Sequence, residues 1–116
     1  MDTNNKAWQE RFGLTVCNAD EIEKTIPANL MGIAVIYATT TSGDVVYLVV
    51  ESRAGSLITQ TARRLQTAKF PLGVNLRVAF KTDLSPDKSP AAIHEACREQ
   101  VILAGAMRRE LRPAMR

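Results

Sequence analysis

Residues 31–50, MGIAVIYATTTSGDVVYLVV, form two apolar runs around one polar turn. Thr41, Ser42, Gly43 and Asp44 are turn formers. The β-branched residues beside them (Val35, Ile36, Thr39, Val45, Val46, Val49, Val50) favour extended backbone, so the stretch predicts a β-hairpin. A strand with one wet face alternates apolar and polar residues. Val45 to Val50 does not, which predicts that both faces of the second strand are covered. The rest of the chain has to supply that cover.

There are 116 residues to do it with, the size of one domain, and we read 1–116 as a single domain with a mobile 1–5 and a core over about 26–112. An apolar share of 46% with 23% charged residues is that of a globular protein and sets aside disordered and fibrous classes. No stretch reaches the roughly 18 uncharged apolar residues of a membrane span, and the polar start is no secretory leader, so a cytoplasmic protein without membrane contact is expected. Cys17 and Cys97 are far apart with no Cys-x-x-Cys spacing and no histidine cluster, and both read as buried thiols. His94, one position past an apolar face, reads as a structural or solvated residue.

Around the hairpin the periodicities change. Trp8 and Phe12 are four apart, which places both rings on one side of a short helix. Asp20 with Glu23 has a capping-box pattern, and Pro27 ends the short helix it starts. Ser56 caps a predicted helix from Leu57 to about Lys69, with Ile58, Ala62 and Leu65 inward and Gln60, Arg63, Arg64 and Gln66 outward or flanking. Val74, Leu76, Val78 and Phe80 then alternate with Asn75, Arg77, Ala79 and Lys81, a half-buried strand with a basic outer row that reads as a sheet edge. Asp83 to Ser89 is a loop, and Ser89-Pro90 opens a long helix to about Arg112 whose inner stripe is Ile93, Ala96/Cys97, Gln100, Leu103/Ala104, Met107 and Leu111. Gly105 in mid-helix costs about 1 kcal/mol against alanine and predicts that another helix or subunit presses there. The fold class is α/β (α+β): a small sheet of about three strands in the order hairpin, helix, strand, long helix, behind a short helical N-terminal segment.

The charge is divided. Through Ser52 there are three cations against seven anions, and beyond it twelve cations against five anions, so an overall +3 conceals an acidic first half and a basic second half. That split points to a polyanionic partner, and equally to a solvated basic face that serves solubility or to pairing with an acidic surface on a second copy. Arg53, Arg63, Arg64, Lys69, Arg77 and Lys81 come from adjacent elements, and Arg108, Arg109 and Arg112, with Arg116, gather at the end of the chain. Phosphate contacts without base readout follow from that pattern. Aromatic residues make up only 5% and none stands among these arginines, which favours a duplex or structured RNA over a single-strand stacking platform.

Ile26-Pro27 leading into Gly32-Ile33, then Tyr47-Leu48, an arginine on the next helix and a glutamate on the last one resemble the layout of the GIY-YIG nuclease family over roughly Ile26 to Leu111. Ala34 stands where that family has the tyrosine of its first motif, and Val49 where it has the glycine of its second. The resemblance implies metal-dependent hydrolysis of a phosphodiester with Mg or Mn, with Tyr47 activating water, Arg63 or Arg64 facing the transition state, and Glu95 or Glu99 holding the metal. From the residues alone, Glu95 and Glu99 read equally as a solvated face beside Arg98, and no firm metal site or cofactor is expected.

Three readings therefore stand side by side. The favoured one is a non-enzymatic binding or regulatory protein contacting nucleic-acid phosphates, and the others are a homodimeric interaction module and a GIY-YIG-like endonuclease. The homodimer is expected because Trp8 and Phe12 alone are available to shield the sheet face that carries Val35, Tyr37 and Val46. It would join sheets edge to edge or long helices through Ala104-Gly105-Ala106.

Overall fold

The structure, a computed structural model, describes residues 7–53, 55–83 and 89–115. Along the chain come α1 (Trp8–Arg11), β1 (Thr15–Asn18), a 3-10 turn (Ala19–Glu21), α2 (Ile22–Thr25), β2 (Met31–Thr40), β3 (Gly43–Glu51), α3 (Leu57–Thr67), β4 (Leu76–Asp83) and α4 (Pro90–Leu111). The four strands form one antiparallel sheet in the order β1-β4-β2-β3. The reading of 1–5 as mobile, the loop beyond Asp83 and Arg116 lie outside the described residues.

The hairpin forms as its composition requires, with Gly43 supplying a positive φ of 121° where the chain turns back. Its second strand breaks alternation for a local reason. Ile36 pairs with Leu48 and Tyr37 with Val46, so Tyr47 is an extra residue, a β-bulge. Tyr47 and Leu48 consequently face the same side of the sheet with Val50, while Val46 and Val49 face the other. Every residue from Val46 to Val50 is buried, as the apolar run predicts, but Val45 at its start, next to the turn, is 39% exposed.

Two helices provide the cover, one per face. Leu57 of α3 is fully buried against Ala34, Ile36, Leu48, Val78 and Phe80, with Ile22 and Ile26 beside it and Ile58, Ala62 and Leu65 partly buried. On the opposite face Ala104 and Met107 of α4 pack on Ile33, Val35, Tyr37, Val46, Val49 and Ala79, joined by Trp8, Phe12, Leu103 and Leu111. The expectation that only Trp8 and Phe12 shield this face is thus corrected: α4 crosses it, and no second copy is needed to cover Val35, Tyr37 and Val46. α1 is fixed across the hairpin end, where Trp8 meets Tyr37 edge-to-face at 4.9 Å and its Nε1 donates to Asp44 Oδ2 at 2.9 Å.

β4 is not an edge. It lies between β2 and β1, a strand of four residues whose Thr15 to Asn18 pair with Phe80 to Arg77. Its supposed outer row includes Ala79, fully buried under α4. The true edge at β3 is blunted: Ala114 N–H donates to the Val46 carbonyl at 3.1 Å, and Met115 N–H to the Tyr47 carbonyl at 2.7 Å. Arg108 Nη2 takes the Val49 carbonyl at 3.3 Å, so an edge-to-edge union of two sheets along this stretch of β3 would have to displace chain already there.

Helix starts follow the sequence in part. Ser89 caps α4, its hydroxyl accepting from Ala92 N–H at 3.2 Å, with Pro90 in the first turn. Ser56 holds the N-cap position of α3 but its side chain caps nothing, and Asp20 makes no capping box with Glu23. Instead Asn18 Nδ2 donates to Glu21 at 3.0 Å.

Candidate nucleic-acid interface

Three strand ends and two helices meet where β3 leaves the sheet, and this junction sets the position of α3. Gly32 lies so close to β4 that a Cβ there would stand 2.2 Å from the Lys81 carbonyl oxygen. Its N–H donates to Ser52 Oγ at 2.8 Å, and its carbonyl accepts from Ser52 N–H at 3.1 Å. From the inner face of α4, Gln100 reaches the next residue with both ends of its amide. Oε1 accepts from Arg53 N–H at 2.9 Å, and Nε2 donates to the Arg53 carbonyl at 3.2 Å. Arg53 is thereby held in the left-handed region, φ 53°, with its side chain exposed. Leu57 N–H then donates to the Leu30 carbonyl at 2.8 Å, tying the first turn of α3 to the start of β2.

With Leu57 and Thr61 turned into the core, the 3.6-residue period places Thr59, Arg63, Gln66 and Thr67 outward, and all four are exposed. Arg64 is partly buried on the flank of the helix, and Lys69 is exposed just beyond it. Phe70 then turns inward, edge-to-face on Tyr47 with 5.8 Å between ring centres. No aspartate or glutamate occurs between Glu51 and Asp83, so every charged side chain on α3 and its connections is a cation; the connection to β4 also exposes Leu72 completely.

The other predicted cations are placed elsewhere. Arg77 pairs with Tyr37 in the sheet and is partly buried, its Nε enclosed without a partner. Lys81 is exposed and borders a small cavity of about 150 Å³ with Ile33, Glu99, Gln100 and Leu103. Arg108 is committed to Glu51, with Nη1 2.9 Å from the carboxylate. Arg109 is exposed on α4, and Arg112 ends that helix in the left-handed region at φ 48°. Of the nine residues named from the sequence, Arg53, Arg63, Arg64 and Lys69 belong to α3 and its flanks, while Arg77, Lys81, Arg108, Arg109 and Arg112 lie on or beside the α4 side of the sheet.

Comparison with protein-family models, with curated proteins and with solved structures gave no match.

The residues named for hydrolysis are divided by the sheet. The Tyr47 side chain is buried in the α3-side core, whereas Glu95 and Glu99 stand exposed on α4, which covers the opposite face. Arg63 is on the outer surface of α3. Among the described residues no three His, Cys, Asp or Glu side chains come together. What the structure sets apart is the buried Tyr47 on one side of the sheet and the two glutamates on the other.

Sequence reasoning placed Gln100 on the inner stripe of α4 without finding its role. Its hydrogen-bonding partner is 47 residues away. The acid-free run from Ser52 to Thr82, by contrast, was open to a count along the sequence.

Proposed function

We propose that this protein is a non-enzymatic binder of nucleic-acid phosphates, laying the outer face of α3, with Arg53 before it and Lys69 after it, along the backbone of a duplex or a structured RNA. The observation that carries this reading is the exposure of Arg53, Arg63 and Lys69 in a stretch without a single acid from Ser52 to Thr82. Cations spaced along a helix with hydroxyl and amide side chains between them match the donors that contact phosphate and sugar oxygens. Trp8, Tyr37, Tyr47 and Phe70 are engaged with one another in two ring pairs, which leaves no ring from those pairs for stacking a splayed base and favours backbone contact over single-strand binding.

Such a surface reads charge and groove shape rather than base edges, so affinity should vary little with sequence. The separation of Tyr47 from Glu95 and Glu99 gives binding better support than cleavage. The test is fluorescence anisotropy with two labelled duplexes of unrelated sequence and one RNA hairpin, comparing the wild type with the Arg63→Glu/Lys69→Glu variant. Both side chains are exposed, so the variant should unfold at the wild-type midpoint while losing at least about tenfold in affinity for every probe. Equal affinity of variant and wild type would remove α3 as the contact surface.

A further inference from the structure

The outer face of α4 carries a seam that no other described element covers. Directly opposite its buried stripe of Ala96, Gln100, Ala104 and Met107 run Glu95, Arg98, Ile102, Gly105 and Arg109, spaced alternately three and four apart. This is the spacing of a two-helix contact, in which one face repeats every three and a half residues. At its middle Ile102 is 63% exposed and its neighbour Val101 52%, the largest apolar exposures on the helix. Gly105 is the second sign. A Cβ there would meet only Arg109 Nη1, at 3.5 Å, so among the described residues no other element presses on the glycine, whose cost to the helix is not explained by packing against them.

We infer that α4 is the interface of a homodimer, packed antiparallel on α4 of a second copy about a two-fold axis at Ile102. The charges choose this occupant and this direction. Glu95 and Arg109 lie seven residues on either side of Ile102, about 10.5 Å along the axis. Antiparallel pairing therefore sets Glu95 of each copy against Arg109 of the other, while parallel pairing sets like against like. Neither Glu95 nor Arg109 has an ion-pair partner among the described residues. In the same register Glu99 comes opposite the second Gly105, where the missing side chain lets the backbones approach, and Ile102 meets its own copy. One helix pair buries less than the roughly 1,600 Å² of a standard interface, so the dimer is a weak, reversible one. This surface lies across the sheet from α3, and the inference does not rest on nucleic-acid binding.

Sedimentation equilibrium over a concentration series tests it. The wild type should show a monomer–dimer equilibrium. Ile102→Glu should be monomeric with unchanged circular dichroism, since the side chain is outside the core. Glu95→Arg should weaken the dimer by about tenfold, because it sets two like-charged pairs across the axis, and Glu95→Arg/Arg109→Glu should restore it. A wild type that remains monomeric at several hundred micromolar would overturn the proposal. So would an Ile102→Glu variant that still dimerises, or a double variant no stronger than Glu95→Arg.

Discussion

Gln100 is 2% exposed on the inner face of α4, where its amide satisfies the N–H and the carbonyl of Arg53 at once. Replacing it with methionine keeps volume and helix propensity but leaves both backbone groups unpaired beside the core. Unsatisfied groups of this kind cost about 1–3 kcal/mol each, so Gln100→Met should lower the unfolding free energy by about 2 kcal/mol in denaturant titration, with the slope unchanged. Cys17 makes a second residue-scale case. Burial pushes its thiol above the ordinary range, the hydrogen bond with Thr25 pulls it back, Glu21 raises it, Arg77 lowers it and Asp20 raises it. A thiol whose folded pKa exceeds its unfolded one contributes stability that is complete below about pH 8.5 and is lost as pH rises through the folded value. Wild-type stability should therefore fall with pH above about 8.5 more steeply than that of Cys17→Ala. In the native protein, a thiol reagent at neutral pH should modify half-buried Cys97 well before Cys17. Both cysteines read from the sequence as buried thiols, which holds for Cys17 and not for Cys97, half-buried on α4. Their difference in burial was not legible, because it depends on Cys17 pairing with Val78 in a strand too short to announce itself.

Elements with a long period were visible in the sequence, and those fixed by distant partners were not. The hairpin strands, α3 and α4 each run nine residues or more, enough for the inner stripe of α4 to be read, whereas in α3 the fully buried positions are Leu57 and Thr61 and the expected Ile58, Ala62 and Leu65 are partly buried. β1 is four residues whose partners lie some sixty positions on, and without it β4 looks like an edge. The bulge at Tyr47 is a similar case: an apolar run cannot reveal which residue is the extra one until its pairing is known. On the β3 edge, the backbone bonds from Ala114 and Met115 to Val46 and Tyr47 make a further prediction. A chain ending at Arg112 loses both bonds and uncovers the edge. It should melt several degrees lower, as a loss of about 1 kcal/mol does in a domain of this size, and should aggregate on heating where the full chain does not. Reversible melting of both chains at the same temperature would show that the tail does not guard the edge.

At the scale of the molecule, the fold is one sheet between two helices that present different chemistry. The α3 side offers Arg53, Arg63 and Lys69 from a segment without an acid, next to α2 and its leading turn, which carry exposed Asp20, Glu21 and Glu23, and the α4 side mixes acids and bases around Ile102. The division of charge at Ser52 was legible as a count, but only the topology could show that the later basic residues separate onto two faces, with Arg108 already paired to Glu51. The central claim is that the first of these faces meets phosphate. Its most direct measurement is the salt dependence of duplex affinity, since each cation that neutralises a phosphate releases counterions and contributes about 0.9 to the slope of log affinity against log salt. Removing Arg63 and Lys69 as alanines should reduce that slope by about 2 while the wild type binds at low salt with an affinity indifferent to sequence. A wild type that fails to bind at low salt, or a double variant whose slope equals the wild-type slope, would contradict the account.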